Sequence, residues 1–189
     1  MSEEPTYLKL LRGIANAESD AHCYLTAWRE TTTNPDVHAV LTTVASREGE
    51  HGMSFAKRVV ELGFEFERKE DASLPEKLSV ARSNCTDMEK AEYFGLTRAE
   101  QTLSFFDNVF KDHSIDIKTG ELLGRYIAEE HDTARLAKTC YDALCAVATA
   151  EKPAEATVAT LETKVDALCR SVEELRQIVC AQTMPAAAE

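Results

Sequence analysis

The sequence is poor in the residues that make turns, with seven glycines and five prolines in 189 residues. An all-β fold needs frequent turns, so this scarcity argues against one. Hydrophobic residues make up 44% of the chain, which is enough for one sizeable core. We therefore expect an all-α protein with one main helical domain and a shorter additional segment.

Positive charge and long apolar runs are also scarce. Lys and Arg number 21 against 33 Asp and Glu, and they form no basic stripe, so we expect no nucleic-acid partner. No apolar run is long enough to span a bilayer, and the first residues lack the positive flank and apolar stretch of a signal peptide. These features predict a cytoplasmic protein that makes no membrane contact.

The cysteines contain no Cys-x-x-Cys pair, which excludes a zinc ribbon or a rubredoxin-type iron site built from such pairs. We expect most of them to be reduced and half-buried in the core. The six are Cys23, Cys85, Cys140, Cys145, Cys169 and Cys180.

What the sequence does contain is a long amphipathic stretch, residues 37–62, in which apolar residues recur at helical spacing. Glu48 and His51 interrupt the pattern on the same face, near the centre of the apolar arc. Glu-x-x-His on an inward helix turn is the spacing by which four-helix carboxylate proteins place an oxygen and a nitrogen ligand on a metal. The alternative is a salt-bridged pair at the rim of a core.

The residues before this stretch predict a first helix and a capped start for the second. A first helix is predicted from about Thr6 to Thr31, with Glu18 in the middle of its apolar face. His22, one turn later, is also expected to point inward, where a hydrogen bond to a core carboxylate is favoured over metal ligation. Asn34 and the proline that follows it predict a capped restart, so the helix over 37–62 should run antiparallel to the first and end at Gly63.

The second half of the chain has similar signals. A long connection, residues 64–86, contains Leu74-Pro75 as the start of a short helix. Thr86 should cap a third helix that continues to Phe110 with Glu100 toward the edge of its inward arc. A break over residues 111–119 precedes a fourth helix, which carries Glu130 near the centre of its apolar face.

The four inward glutamates repeat with one spacing. Glu18 and Glu48 lie 30 residues apart, and so do Glu100 and Glu130, so a shift of 82 maps the first helix pair onto the second (18 + 82 = 100 and 48 + 82 = 130). The apolar positions follow the same shift. An internal duplication with one inward glutamate per helix favours a shared metal site.

Over about residues 5–150 the chain resembles the rubrerythrin-like branch of the ferritin-like superfamily. The matching stretches are Ala17-Glu18-Ser19-Asp20-Ala21, Glu48-Gly49-Glu50-His51, Ala99-Glu100 and Ile127-Ala128-Glu129-Glu130. The resemblance implies an antiparallel four-helix bundle, made of two hairpins joined by a long crossover, that holds a carboxylate-bridged pair of iron ions. By this resemblance Glu18 and Glu100 are terminal ligands, Glu48 and Glu130 bridge the metals, and His51 supplies a terminal nitrogen.

The sequence departs from the family at the second histidine. Three residues after Glu130 stands Thr133, while His131 lies about 100° round the helix and would reach the metal only through a π-bulge, so it is the less favoured ligand. A site with fewer ligands could hold one metal or another divalent ion. The chain has no rubredoxin domain, so an enzyme of this kind would take its electrons from another protein.

After residue 150 the pattern changes. Glu151, Lys152 and Pro153 are expected to stop the fourth helix, which divides the chain into a bundle (1–150) and a C-terminal amphipathic helix with a short tail (151–189). Valine at heptad position a and leucine at d favour a parallel two-stranded coiled coil, so a homodimer is preferred over packing back on the bundle. We call these seven residues the heptad seam: Val158, Leu161, Val165, Leu168, Val172, Leu175 and Val179.

These observations predict a rubrerythrin-like di-iron oxidoreductase, of peroxidase or ferroxidase type, that reacts with peroxide or dioxygen. Tyr126, one turn before Glu130, could donate a hydrogen bond to a ligand, although ordinary core packing is favoured. The first alternative is an interaction or assembly protein whose metal site has degenerated. Iron binding or sequestration is a further alternative.

Overall fold

The computed structural model describes residues 4–97 and 111–182, and all of the regular structure in these two segments is helical. The all-α prediction is therefore confirmed, whereas the four-helix bundle and its crossover stay predictions. Within the described ranges, no helix combines the length and the apolar composition needed to cross a membrane. The helices are α1 (Leu8–Thr31), α2 (Pro35–Glu61), α3 (Leu74–Arg82), α4 (Asp87–Tyr93) and α5 (Ile117–Gln182).

Helices α1 and α2 form the hairpin that the sequence predicts. The Asn34 side chain accepts hydrogen bonds from the backbone N–H groups of Asp36 (2.9 Å) and Val37 (3.3 Å), which caps α2. After α2 ends, Gly63 adopts a φ of 87°, which a glycine reaches without strain. The start of α1 packs with the end of α2 in one buried cluster, and the end of α1 packs with the start of α2 in another, so the two helices are antiparallel.

Two glycines let α1 and α2 approach closely. A Cβ atom on Gly52 would lie 2.6 Å from the Ser19 hydroxyl oxygen and 3.1 Å from the Ser19 backbone nitrogen. A Cβ atom on Gly49 would lie 2.9 Å from His22 Nδ1. Because these positions carry only hydrogen, the backbones meet near the middle of the hairpin, where Glu18 and Glu48 lie.

The connection to the next helices follows the predicted signals until α4. Helix α3 begins at Leu74 with a proline in its first turn, and a capping box formed by Thr86 and Glu89 starts α4. The predicted long third helix is wrong in its first part, because α4 ends at Tyr93. Gly95 has a φ of 71°, and the N–H of the residue after it donates to a carbonyl inside α4, which is a glycine-type helix stop. The rest of that prediction, residues 98–110 with Glu100, lies outside the described residues.

Helix α5 begins earlier and continues further than predicted. Asp116 accepts hydrogen bonds from the N–H groups of Lys118 (3.0 Å) and Thr119 (3.1 Å), so the helix starts inside the stretch 111–119 that was expected to be a break. The expected stop at Pro153 is also wrong, because α5 is helical throughout its range. A proline removes one backbone hydrogen bond at a cost of about 3 kcal/mol, and a long helix can continue past it.

The chain divides into two compact units, Met1–Leu144 and Cys145–Glu189. The first unit contains both buried apolar clusters, whose largest fully buried side chains include Trp28, Phe55 and Leu123. In the second unit, the described seam residues are exposed rather than buried. Among the cysteines whose side chains the structure describes, Cys85 and Cys169 are exposed free thiols, and Cys23, Cys140 and Cys145 are half-buried free thiols.

Candidate metal centre

Four of the five favoured ligands lie together in the first unit. Glu18 from α1, Glu48 and His51 from α2, and Glu130 from α5 each offer one ligand atom, and these atoms all lie within 4.8 Å of one another. We call this group the carboxylate cluster. Glu100, the fifth residue, lies outside the described residues.

Three of the four cluster residues are buried. His51 is fully buried, Glu48 and Glu18 expose 4% and 9% of their surface, and Glu130 is half-buried. Burying three carboxyl groups is costly unless cations or protons compensate their charges, so the cluster requires a compensating partner.

Two ligand atoms of the cluster have no hydrogen-bond partner within the described part of the chain: His51 Nδ1 and Glu130 Oε1. They lie 3.4 Å apart, and His51 Nδ1 lies 3.8 Å from Glu48 Oε2. A buried polar atom without a partner is rare in folded proteins. Here a nitrogen and an oxygen, both good metal ligands, face each other at ion-pair distance without a hydrogen bond to any described residue.

The other ring nitrogen of His51 is engaged. Nε2 lies 2.6 Å from Glu129 Oε2, a hydrogen bond in which Nε2–H donates to the carboxylate. Once Nδ1 gives up its proton, as it must to bind a metal ion, its lone pair is directed at the cluster, as in the carboxylate–histidine pairs that orient metal ligands. Glu129 had no predicted role. The sequence feature that could have indicated an inward position for Glu129 is its spacing from Tyr126 and Thr133, which places the three on one face of α5.

Tyr126 holds another cluster residue. Its hydroxyl donates to Glu18 Oε1 at 2.6 Å, and its ring makes edge contacts with His51 and Phe55, at centroid distances of 4.9 and 5.2 Å. The tyrosine therefore does both of the things considered from the sequence: it packs in the core and it donates to a candidate ligand.

The charges in the cluster are unequally distributed. Burial, together with a hydrogen bond to Glu48, raises the pKa of Glu18 to about 10, so Glu18 keeps its proton at neutral pH. Burial also raises the pKa of Glu130. Burial opposes ionisation of Glu48 as well, but His51 outweighs it and lowers the Glu48 pKa.

The histidine responds in the opposite sense. Burial alone would lower the pKa of His51, but the carboxylates of Glu130, Glu48 and Glu129 outweigh it and raise the pKa to about 10. In the metal-free protein, therefore, a protonated imidazole and a protonated Glu18 balance the remaining carboxylates. A divalent cation would displace these protons and take over their role.

Thr133 stands where the internal repeat would place a second histidine (51 + 82 = 133). It is buried, and its hydroxyl oxygen accepts a hydrogen bond from Arg47 Nη1 at 3.3 Å. Arg47 also contacts Asp132, with 2.6 Å between Nη2 and Oδ2. A neutral hydroxyl held by a cation thus replaces a nitrogen ligand on this side of the cluster.

The two remaining histidines considered from the sequence lie outside the cluster. His131 is exposed on α5. His22 was expected to point inward toward a carboxylate, and this was wrong: its side chain is exposed, and Nδ1–H donates to the Ala45 backbone carbonyl at 2.6 Å. The contact occurs because Gly49, one turn after Ala45, leaves room for the ring.

A cavity of about 690 Å³ adjoins the cluster in the first unit. Carboxylates of the cluster form part of its wall, so a small molecule could reach them from this side. Other lining residues are Tyr24, Leu25, Val44, Phe94 and Tyr126.

Comparisons with protein-family models, with curated proteins and with solved structures gave no match for this chain. The chemistry of the site therefore has to be judged from its own residues. Three carboxyl groups and one imidazole, without a thiolate, form a ligand set suited to iron, manganese or zinc. The carboxylate cluster could thus hold a metal ion.

Proposed function

We propose that this chain is a rubrerythrin-like iron protein that reduces peroxide or dioxygen. The observation that carries the proposal is a pair of buried ligand atoms that make no hydrogen bond among the described residues, His51 Nδ1 and Glu130 Oε1, at the meeting point of three helices. A core that served only for stability would gain from apolar residues at these positions, because a buried ion pair often contributes less to stability than apolar residues of similar volume.

In this proposal the residues that the family resemblance names would hold iron. Glu18, Glu48 and Glu130 would supply carboxylate oxygens and His51 a nitrogen, and by the resemblance Glu100, outside the described residues, would add a further carboxylate. Bound iron would supply the redox chemistry, since it can pass electrons to an oxidant that reaches an open coordination position.

The rest of the chain positions the ligands. Glu129 holds Nε2–H of His51 and so keeps Nδ1 directed inward. Tyr126 holds one oxygen of Glu18. The carboxyl group also shares a hydrogen bond with Glu48, which a bound metal ion would replace. Glu18 and Glu48 are buried, which strengthens the interaction between their carboxylates and a cation. Electrons would come from a separate donor protein.

The test uses the full chain, freed of metal and loaded with Fe(II) without oxygen. One equivalent of hydrogen peroxide is then added, and the oxidation of the iron is followed by absorbance. We expect fast oxidation in the parent and loss of the reaction in Glu48→Gln, which keeps the shape of the side chain but removes its charge. Glu50→Gln is the matched control, because Glu50 is an exposed glutamate on the same helix.

Two other outcomes would contradict the proposal in different ways. Iron that binds at the cluster but is not oxidised faster than free Fe(II) would contradict the redox function and favour iron binding or sequestration. Equal rates in the parent and Glu48→Gln would show that the reaction does not occur at the cluster.

The second candidate is an assembly protein with a degenerate metal site. The contact between Arg47 and Thr133 favours it, because a cation lies where the repeat would place a nitrogen ligand. This candidate predicts that the parent chain retains no iron after anaerobic loading and removal of unbound metal.

A further inference from the structure

Helix α5 carries a stripe of large apolar side chains that the described residues leave uncovered. Leu161, Val165, Leu168 and Val172 expose 55%, 56%, 66% and 58% of their surface. Their spacings of four, three and four residues place them on one side of the helix. Four neighbouring exposed apolar residues mark a contact surface, because apolar residues scattered over a surface would not recur at these helical spacings.

The stripe is narrow. It has two apolar residues per heptad, and Glu162 and Lys164 occupy the positions beside it, while Asp166 and Arg170 lie further round the helix. A helix that packs on a broad core uses about three apolar positions per heptad, whereas strict a and d positions suit one partner helix. The occupant is therefore a single helix with an equally narrow apolar side.

We propose that this occupant is the same helix of a second copy of the chain, aligned in parallel and in register. Valine at a and leucine at d is the combination that favours parallel two-stranded coiled coils. The heptad seam continues in the sequence at Val158, Leu175 and Val179, so about three heptads take part.

The charges beside the stripe permit this pairing. In a parallel pair, position g of one helix faces position e of the next heptad on its partner. Lys164 at g therefore faces Cys169 at e, so the pairing does not place this lysine opposite another positively charged side chain. The proposal is independent of metal binding, because it rests on the second unit alone.

Sedimentation equilibrium of the full chain tests the stoichiometry. We expect twice the chain mass of 20.9 kDa at micromolar concentration, and a return to the single-chain mass in Leu168→Asp, which places a carboxylate in the seam. Thr163→Asp is the matched control, because it adds the same charge to the outer side of the same helix and should leave the dimer intact. Circular dichroism checks that both variants keep their helical content.

A second variant tests the orientation and keeps the proposal falsifiable if Leu168→Asp unfolds. In a parallel, in-register pair, each d residue faces its own counterpart. Leu168→Cys, in a chain whose exposed Cys85 and Cys169 are replaced by serine, should therefore give a covalent dimer on mild oxidation. Thr163→Cys and the chain without an added cysteine, in the same background and treated in the same way, should not. A monomeric parent, a trimer, or equal cross-linking of the two cysteine variants would each overturn the proposal.

Discussion

Glu18→Gln should stabilise the metal-free protein while it abolishes metal binding. Glu18 is buried, shares a hydrogen bond with Glu48, and keeps its proton because its pKa is raised to about 10 from a usual value of 4.5. A glutamine has the shape of a protonated glutamate and can still accept the hydrogen bond from Tyr126, so the folded state changes little.

The size of the effect follows from the difference between the folded and unfolded states. Above its usual pKa, Glu18 loses its proton when the chain unfolds, which favours the unfolded state by about 1.4 kcal/mol per pH unit. Because the pKa of Glu18 is raised in the folded state, the contribution of the protonated side chain to the free energy of unfolding is present in full below about pH 4.5. That contribution is lost as the pH rises toward the folded-state pKa. Glutamine does not titrate, so at pH 7 the variant should be more stable than the parent by roughly 3 kcal/mol.

Urea unfolding of the chelator-treated proteins at pH 5 and pH 7 measures this difference. The advantage of Glu18→Gln should be small at the lower pH and grow with rising pH. Glu30→Gln, at an exposed glutamate of the same helix, should change the free energy of unfolding by less than about 0.5 kcal/mol at both pH values. An advantage that does not grow with pH would refute the assignment of a proton to Glu18.

Three further changes test other parts of the structure by urea unfolding. Gly52→Ala should destabilise the chain by about 1–3 kcal/mol, because the new methyl group would meet Ser19, whereas Gly13→Ala, where no atom lies within 4 Å of the added Cβ, should not destabilise it. Tyr126→Phe should cost about 1–3 kcal/mol, because a buried carboxyl oxygen of the cluster loses its donor. Asp116→Asn should be less stable than the parent at neutral pH, and the gap should narrow below about pH 4. Burial opposes ionisation of Asp116, but hydrogen bonds outweigh it and lower the pKa, so its contribution is lost as the pH falls.

The parts of the fold that could be predicted from the sequence are those that local residues determine. The cap at Asn34, the glycine at position 63 and the apolar periodicity place α1 and α2 almost to the residue. The same periodicity places Glu18 and Glu48 on inward faces, which is why their proximity could be predicted.

The features that were predicted wrongly or missed depend on non-local packing or on the backbone conformation of a single residue. The early end of α4 depends on the positive φ of Gly95, which is not evident from an apolar pattern that continues past it. The His22 side chain does not point inward as expected, because it donates a hydrogen bond to the Ala45 backbone carbonyl on α2. The spacing within α5 places Glu129 on the same face as Tyr126, but it does not identify His51 on another helix as its partner.

The central claim, that the carboxylate cluster binds iron, is tested most directly by the iron content of the chain. Metal-free parent, Glu48→Gln and Glu50→Gln proteins are loaded with Fe(II) without oxygen, freed of unbound metal and analysed by mass spectrometry of the element. We expect two iron ions per chain in the parent and in Glu50→Gln, and loss of bound iron in Glu48→Gln, which removes a charge from the buried cluster. Equal iron content in all three proteins, or none in the parent, would contradict it.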